Sequence, residues 1–529
     1  MFILQDIGYR HPNRDILFRH INLSINRQDK IALIGNNGVG KSTLLQIMAG
    51  ELQPFEGSVK AGSKPYYIPQ IYGQYNECTV AEALQVADKL NALRAISEGD
   101  ASETHFSTLN DDWDIEDKCS KALANWGLNE LDLWRKMGTL SGGQKTKASL
   151  AGIAIHEPKI VLMDEPSNHL DIESRALLYD YIQSADSALV VVSHDRALLN
   201  LLDTVCELSK NGLTTYGGNY GFYTEQKAIE TAALNDDVQH KEKALRKARE
   251  TERDAAERQQ KLDARGRKKQ DKAGMPTIMM HTMRNNAENS TARMKEVHAE
   301  KKGAIAKELN ELRKELPDKD KMKMGFDASD LHRGKLLIDT RNINFGYDGR
   351  MLWSEALSFQ IFSGQRLAIA GANGSGKTTL IKLMLGELQP AQGELYRADF
   401  KAVYIDQEYS LINNELSVYE QAQQYNVDNL QEHELKSKLT HFLFTKAYWD
   451  KSCAALSGGE KMRLMLCCLA LSNKAPDIII VDEPTNNLDI QNVDILTAAI
   501  NEYKGTLIVV SHDGWFLKEI NVRDTITLI

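Results

Sequence analysis

One short pattern occurs twice, and it limits the folds open to this chain more than any other feature. Gly35, Asn36, Asn37, Gly38, Val39, Gly40, Lys41 and Ser42 spell G-x-x-x-x-G-K-[ST], and so do Gly371, Ala372, Asn373, Gly374, Ser375, Gly376, Lys377 and Thr378. Such a loop holds phosphate by aiming backbone N–H groups at it from a helix N-terminus. It therefore needs a strand before it and a helix behind it. Apolar runs at 31–34 and 367–370 supply the strands. Leu44, Leu45, Ile47 and Met48, then Leu380, Ile381, Leu383 and Met384, supply the helices, which Thr43 and Thr379 enter. A single copy could be a chance Gly-rich turn; two copies with matching companions exclude that reading.

The companions keep nearly constant offsets. Gly35 and Gly371 lie 336 residues apart, and Gln70 and Gln407 lie 337 apart. Ser141 and Ser457 are separated by 316, while Asp164 and Asp482, like His194 and His512, are separated by 318. The drop of 21 gives the first half an insertion of that size, expected within 85–112, where Ser, Gly, Asp and Thr cluster. Strands alternate with helices in both halves, so the fold class is α/β with two tandem cassettes, 1–221 and 331–529.

Residues 222–330 differ from both. From Glu225 to Lys272 the chain is rich in Ala, Glu, Lys, Arg and Gln, all good helix formers. Residues 273–290 break the pattern, and it resumes from Thr291 until Pro317. Two long antiparallel helices joined by a Met-rich tip follow, a helical hairpin linker. The tip carries Met275, Ile278, Met279, Met280 and Met283, adaptable side chains suited to a contact surface. The plainer alternative is a charged spacer.

The formal charge of −9 over 529 residues hides an asymmetry. From Lys241 to Lys323 there are 24 Lys and Arg against 15 Asp and Glu, a net +9 that leaves −18 for the rest. An acidic body with one basic projection points the projection at a polyanion. Arg265, Arg267, Lys268 and Lys269 are the leading RNA-backbone cluster, a solvated helix face being the alternative. No apolar run approaches the ~18–20 residues of a membrane-spanning helix. The N-terminus lacks a secretory pattern, and the six cysteines show no C-x-x-C spacing. A reduced, cytoplasmic location with no membrane contact is expected.

The chemistry follows from the repeated carboxylates. Lys41 and Lys377 are placed to reach β- and γ-phosphates of ATP, and the Ser42 and Thr378 hydroxyls to hold Mg²⁺. Each half then has an apolar strand ending in Asp-Glu: Asp164 and Glu165, Asp482 and Glu483. The aspartate suits the metal's water shell, and the glutamate suits activation of an attacking water.

Here the residues resemble a known family. Leu140, Ser141, Gly142, Gly143 and Gln144, with Leu456, Ser457, Gly458, Gly459 and Glu460, resemble the signature of ATP-binding-cassette (ABC) ATPases. The arrangement is similar to the ABC-F subfamily, with tandem cassettes, no membrane domain and a long charged linker. That resemblance implies that each signature caps the nucleotide of the opposite cassette, Lys41 working with Ser457 and Lys377 with Ser141. One chain would then be a monomer with an internal cassette dimer. It further implies that His194 and His512 contact the γ-phosphate, that Gln70 and Gln407 sense metal and nucleotide, and that Tyr9 and Tyr347 stack on adenine. Tyr9 stands a few residues out of register, and an aromatic near a strand can equally be core.

Subfamily members bind the ribosome, with the linker directed to P-site tRNA and the peptidyl-transferase centre. The resemblance thus implies a bacterial-ribosome partner (rRNA and P-site tRNA) and either antibiotic protection or a housekeeping translation role, the Met-rich tip favouring the former. A transporter ATPase would not need a basic hairpin, and chromosome-type ABC ATPases place their coiled coil inside a cassette. Three departures stand out: Asn487 replaces the histidine found at His169, the insertion is short for a contact with the ribosomal L1 stalk, and no coiled-coil extension follows the second cassette.

Overall fold

A computed structural model describes residues 1–11, 16–70, 72–100, 102–209, 212–270, 292–293, 296–297, 299–313, 332–347, 350–472, 475–486 and 488–528. The Met-rich tip at 273–290, Pro317 and Asn487 lie outside the described residues. The chain divides into two compact units, Met1–Gly221 together with Lys321–Ile529, and Phe222–Asp320.

In the first unit each cassette is built on a largely parallel sheet. The N-terminal sheet runs in the order Tyr66–Ile68, Ile160–Asp164, Ala188–Val192, Lys30–Ile34, Thr204–Ser209, Gly212–Tyr216, only the last pair antiparallel. The C-terminal sheet runs Ala402–Ile405, Ile478–Asp482, Thr506–Val510, Arg366–Gly371, Asp524–Leu528, all parallel. The central strands are uninterrupted runs of Ile, Val, Leu and Met because helices cover both faces; Ile160–Asp164, Ala188–Val192, Ile478–Asp482 and Thr506–Val510 are buried at every position. Parallel pairing brings the carboxyl ends of these strands to one edge of each sheet, where ligands bind in open α/β folds.

An antiparallel sheet completes each cassette: Ile16–Ile25, Phe2–Arg10 and Glu56–Ala61 in the first, Leu357–Phe362, Leu336–Asn344 and Gln392–Arg397 in the second. These sheets close one core per cassette around the helices behind the phosphate loops, Phe2, Leu4, Phe18, Leu44 and Met48 packing with the parallel strands in one, Leu337, Ile343, Leu380 and Met384 in the other. The segment expected to hold the insertion contains helices Ala87–Ser97 and Glu103–Leu109, which pack by Leu90, Ala92 and Leu109 into a satellite core with Ile115 and Cys119.

The described residues of the second unit are helical. One helix runs Tyr220–Gln270, and 299–313 is helical as well. Ion pairs join the two: Glu242 with Arg313, Lys241 with Glu308, and Glu252 with Lys302. The pairing moves from 241–242 with 308–313 to 252 with 302, so the segments are antiparallel. Val238 of one segment and Leu309 of the other are buried. Exposed ion pairs contribute little each, so this hairpin is held by a thin apolar seam and i,i+4 pairs such as Arg246–Glu250 and Arg253–Glu257.

Candidate nucleotide sites

Each phosphate loop links the carboxyl end of a central strand to a helix, Lys41–Ala49 in the first cassette and Lys377–Leu385 in the second. Gly40 and Gly376 sit immediately before these helices at φ 104° and 89°, in the left-handed region that favours glycine. A Cβ there would also strike Leu17 Cδ2 at 2.6 Å or Leu352 Cδ2 at 2.3 Å. The lysines fold back over their own loops. Lys41 Nζ donates to the carbonyls of Gly35 (2.7 Å) and Asn36 (3.3 Å), and Lys377 Nζ to those of Gly371 (2.8 Å) and Ala372 (3.0 Å). Burial lowers the pKa of both ammonium groups; Glu165, Asp489 and Asp164 oppose this at Lys41, and Glu483, Asp482 and Asp171 at Lys377.

Two strands along each sheet from the phosphate-loop strand, at the ends of Ile160–Asp164 and Ile478–Asp482, stand the four carboxylates. Burial raises the pKa of Asp164, against a hydrogen bond from Ser42 and the charge of Lys41, and raises that of Asp482, against a bond from Tyr404 (2.9 Å) and the charge of Lys377. Glu165 and Glu483 hold left-handed backbone at φ 51° and 47°, a strained conformation for a side-chain-bearing residue and one that recurs at functional positions. Burial pushes the Glu165 carboxyl up to about 8, with Asp164 adding and Lys41 opposing. It pushes Glu483 up to about 7, opposed first by Arg175.

Each glutamate faces the histidine from the next strand end. His194 Nε2 is 3.3 Å from Glu165 Oε1, and His512 Nε2 is 3.3 Å from Glu483 Oε1. Burial holds the two imidazoles down at about 3 and about 4, so both are neutral at physiological pH. A raised carboxyl beside a lowered imidazole is a pair able to exchange and orient a proton. Gln70 and Gln407 lie two residues past the strands Tyr66–Ile68 and Ala402–Ile405, which pair with the Asp-Glu strands.

The signature serines are helix caps. Ser141 precedes Gly142–His156, its Oγ accepting from the Gln144 N–H (3.3 Å) while Gln144 Oε1 accepts from the Ser141 N–H (3.0 Å). Ser457 and Glu460 form the same box before Gly458–Leu471. The S-x-x-[QE] spacing of the signature is therefore also a capping box. The N-terminus it leaves exposed suits an anion.

Contacts between the cassettes join opposite halves. Asn373 of the second phosphate loop donates from Nδ2 to the His169 carbonyl (2.9 Å), and a Cβ on Gly143 of the first signature would lie 3.2 Å from that Nδ2. The Asn37 N–H of the first phosphate loop donates to Asp489 Oδ2 (3.3 Å). Asn492, from the helix that Asp489 caps, packs on Gly459 of the second signature. Arg196 pairs with Asp494 and lies over the Trp515 ring at 5.6 Å.

The adenine-side aromatics differ. Tyr347 is 55% exposed, and its hydroxyl lies 3.2 Å from Thr379 Oγ1. Tyr9 is half-buried against Phe18 and edge-on to His11. The phosphate-loop offset matches Tyr347 to His11. Arg265 is exposed on the long helix, which also contains Arg267, Lys268 and Lys269.

A family model described as ABC transporter matches residues 18–168 and 354–486. ABC transporter F family member 2 of Arabidopsis thaliana is 30% identical over 550 residues, covering 98% of this chain and 75% of that protein. The chain belongs to the ABC-F family. This ABC-F protein is also 29% identical over 548 residues to the Energy-dependent translational throttle protein EttA of Haemophilus influenzae, covering 98% and 90% of the two chains. Among solved structures, an archaeal ribosome recycling factor in complex with a ribosomal stalk protein matches with a TM-score of 0.59 at 19% identity, over 98% of this chain and 86% of that one, a likeness of fold. Among the described residues of this ABC-F protein, no helix is long and apolar enough to cross a membrane.

The donor sets fit Mg²⁺-nucleotide. Asp164 Oδ1, Glu165 Oε1 and Glu483 Oε1 are buried without hydrogen-bond partners among the described residues, an arrangement that a hydrated cation and phosphate oxygens would satisfy. Ser42 and Asp164, with Gln70, offer only hard oxygen donors to the metal, and Thr378, Asp482 and Gln407 offer the same. The sequence did not single out Arg175 or Tyr404, whereas Asp195 closes the repeated Ser193-His194-Asp run.

Proposed function

We propose that this ABC-F protein binds and hydrolyses ATP at two composite sites within one chain, and uses the closure they drive to act on the bacterial ribosome. The observation that carries the ATPase reading is the Glu–His pair at the carboxyl edge of each sheet, beside a lysine-bearing phosphate loop that touches the opposite cassette. Mg²⁺, when bound, would screen phosphate charge and polarise the bond to be broken. It would be held by Ser42, Asp164 and Gln70, and by Thr378, Asp482 and Gln407. Glu165 and Glu483 then accept a proton from water, His194 and His512 orient the glutamates and the terminal phosphate, and the backbone N–H groups of residues 35–43 and 371–379 hold the remaining phosphates. Tyr347 offers an exposed ring for adenine, with Tyr9 the candidate in the first cassette. Ser141, Gly142, Gly143 and Gln144, and Ser457, Gly458, Gly459 and Glu460, cap the nucleotide of the opposite half.

The ribosomal target rests on the +9 segment 241–323 of an otherwise acidic chain, since phosphate neutralisation by Lys and Arg dominates nucleic-acid affinity. Arg265, Arg267, Lys268 and Lys269 contact RNA backbone in this reading, and the Met-rich tip acts near P-site tRNA and the peptidyl-transferase centre to protect against antibiotics. The translational role printed in the name of one relative favours a second reading, a general translation factor. Cell-free bacterial translation separates them. Protection from peptidyl-transferase inhibitors by the added protein with ATP supports the first. An ATP-dependent change in drug-free translation, without protection, supports the second. No effect in either assay, with no ribosome stimulation of ATP hydrolysis, removes both.

A further inference from the structure

The two composite sites are not equivalent across the cassette interface. Arg175 belongs to the first cassette, on helix Ile172–Ser184, yet its guanidinium donates from Nη1 to the carbonyl oxygen of His512 in the second (3.2 Å). The arginine is 9% exposed. The same Nη1 lies 3.9 Å from Asp195 Oδ2, a carboxylate that also accepts the Tyr179 hydroxyl at 2.5 Å, so the arginine is braced within its own cassette. Its Nε is buried with no hydrogen-bond partner among the described residues. Leaving a guanidinium N–H unpaired in the interior costs free energy, so the bond to His512 offsets a burial that packing alone would not favour.

The repeat supplies the comparison. At the offset of 318 that relates Asp171 to Asp489, Arg175 corresponds to Val493, a buried residue with no side-chain donor. His512 thus receives a cationic donor from the opposite half, and no such donor comes from Val493 to the site of His194.

We propose that Arg175 is a positioning residue acting across the interface on the second composite site alone: by holding the His512 carbonyl it fixes the backbone that aims the imidazole at Glu483, and it does so only while the cassettes are joined. The consequence is a division of labour. Chemistry at Lys377 and Glu483 is conditional on the interface through a charged hydrogen bond, whereas chemistry at Lys41 and Glu165 is not conditional in this way. This inference rests on the reading of both sites as ATPases.

The test is a rapid-quench measurement of the first turnover with radiolabelled Mg²⁺-ATP. Wild-type protein cleaves two ATP per chain in the burst. Glu165→Gln leaves the second-site burst, and Glu483→Gln leaves the first-site burst. In the Glu165→Gln background, Arg175→Met is expected to slow the burst rate constant about 10- to 100-fold, the scale of a misaligned catalytic group. The ATP concentration for half-maximal rate should stay within about twofold, because the loss is not one of ground-state binding. Arg175→Lys should recover part of the rate by restoring a donor. In the Glu483→Gln background, Arg175→Met should leave the burst within about twofold, which also shows that the variant folds. Equal slowing in both backgrounds, or no slowing in the first, overturns the proposal. Absence of any ATP cleavage by wild type would instead remove the ATPase reading beneath it.

Discussion

At the residue scale the most telling groups are the paired Glu165–His194 and Glu483–His512, where burial moves the carboxyls up and the imidazoles down. A carboxyl raised in the folded state stabilises the protein below its unfolded value of about 4.3; that contribution is lost as pH climbs through the folded value. In nucleotide-free protein with chelator, Glu165→Gln removes a group whose ionisation opposes folding up to about 8. Its melting temperature should therefore gain on wild type between pH 5.5 and pH 8.5, by about 2–4 °C for each kcal/mol recovered. For Glu483→Gln the gain should level off sooner, near pH 7. Differential scanning fluorimetry across pH checks both, and a difference independent of pH would contradict the assignment. Tyr347 is the second case. Base–aromatic stacking contributes about 1–3 kcal/mol, so Tyr347→Ala should weaken nucleotide binding at the second site about tenfold while Tyr347→Phe does not. Fluorescent-nucleotide titration of both variants reads this directly.

At the element scale, strand–loop–helix units carry the site, and they were legible because each is local. The phosphate loops, the Asp-Glu strand ends and the histidine loops each occupy a few consecutive residues whose spacing fixes their geometry. Tyr9 shows where counting along the chain fails. The strand Phe2–Arg10 pairs with its neighbour through register shifts on both sides of Tyr9, whereas Tyr347 lies in a separate short hairpin with Arg350–Met351. Irregular pairing displaces one aromatic relative to the other, so the offset lands on His11. Arg175 and the Asn373–His169 contact were illegible for another reason: they join residues hundreds of positions apart, and no local pattern encodes them. The same contact yields a prediction. Ser141 caps the helix whose Gly143 lies against Asn373, so Ser141→Arg should impair the site of Lys377 and spare nucleotide binding at Lys41. Photo-crosslinking of azido-ATP, followed by proteolytic separation of the cassettes, measures each site. Equal loss at both would contradict the cross-paired arrangement.

At the scale of the whole molecule, the sequence places a basic segment, 241–323 at net +9, between the two ATP-binding cassettes of an otherwise acidic chain. Charge of this kind implies salt-sensitive attachment to RNA, since each phosphate contact releases a counterion. Replacing Arg265, Lys268 and Lys269 by Glu should weaken ribosome binding and flatten its dependence on salt, while ATP cleavage in the absence of ribosomes stays as in wild type. A variant that binds as wild type does would move the RNA contact away from this cluster. In the proposed function, ATP held at both sites drives this chain onto the ribosome. The most direct measurement is co-sedimentation of the Glu165→Gln, Glu483→Gln double variant with bacterial 70S ribosomes, with and without ATP. Binding is expected to appear with ATP and to be absent without it. A double variant that takes up ATP and still remains in the supernatant, or that pellets equally without ATP, would contradict it.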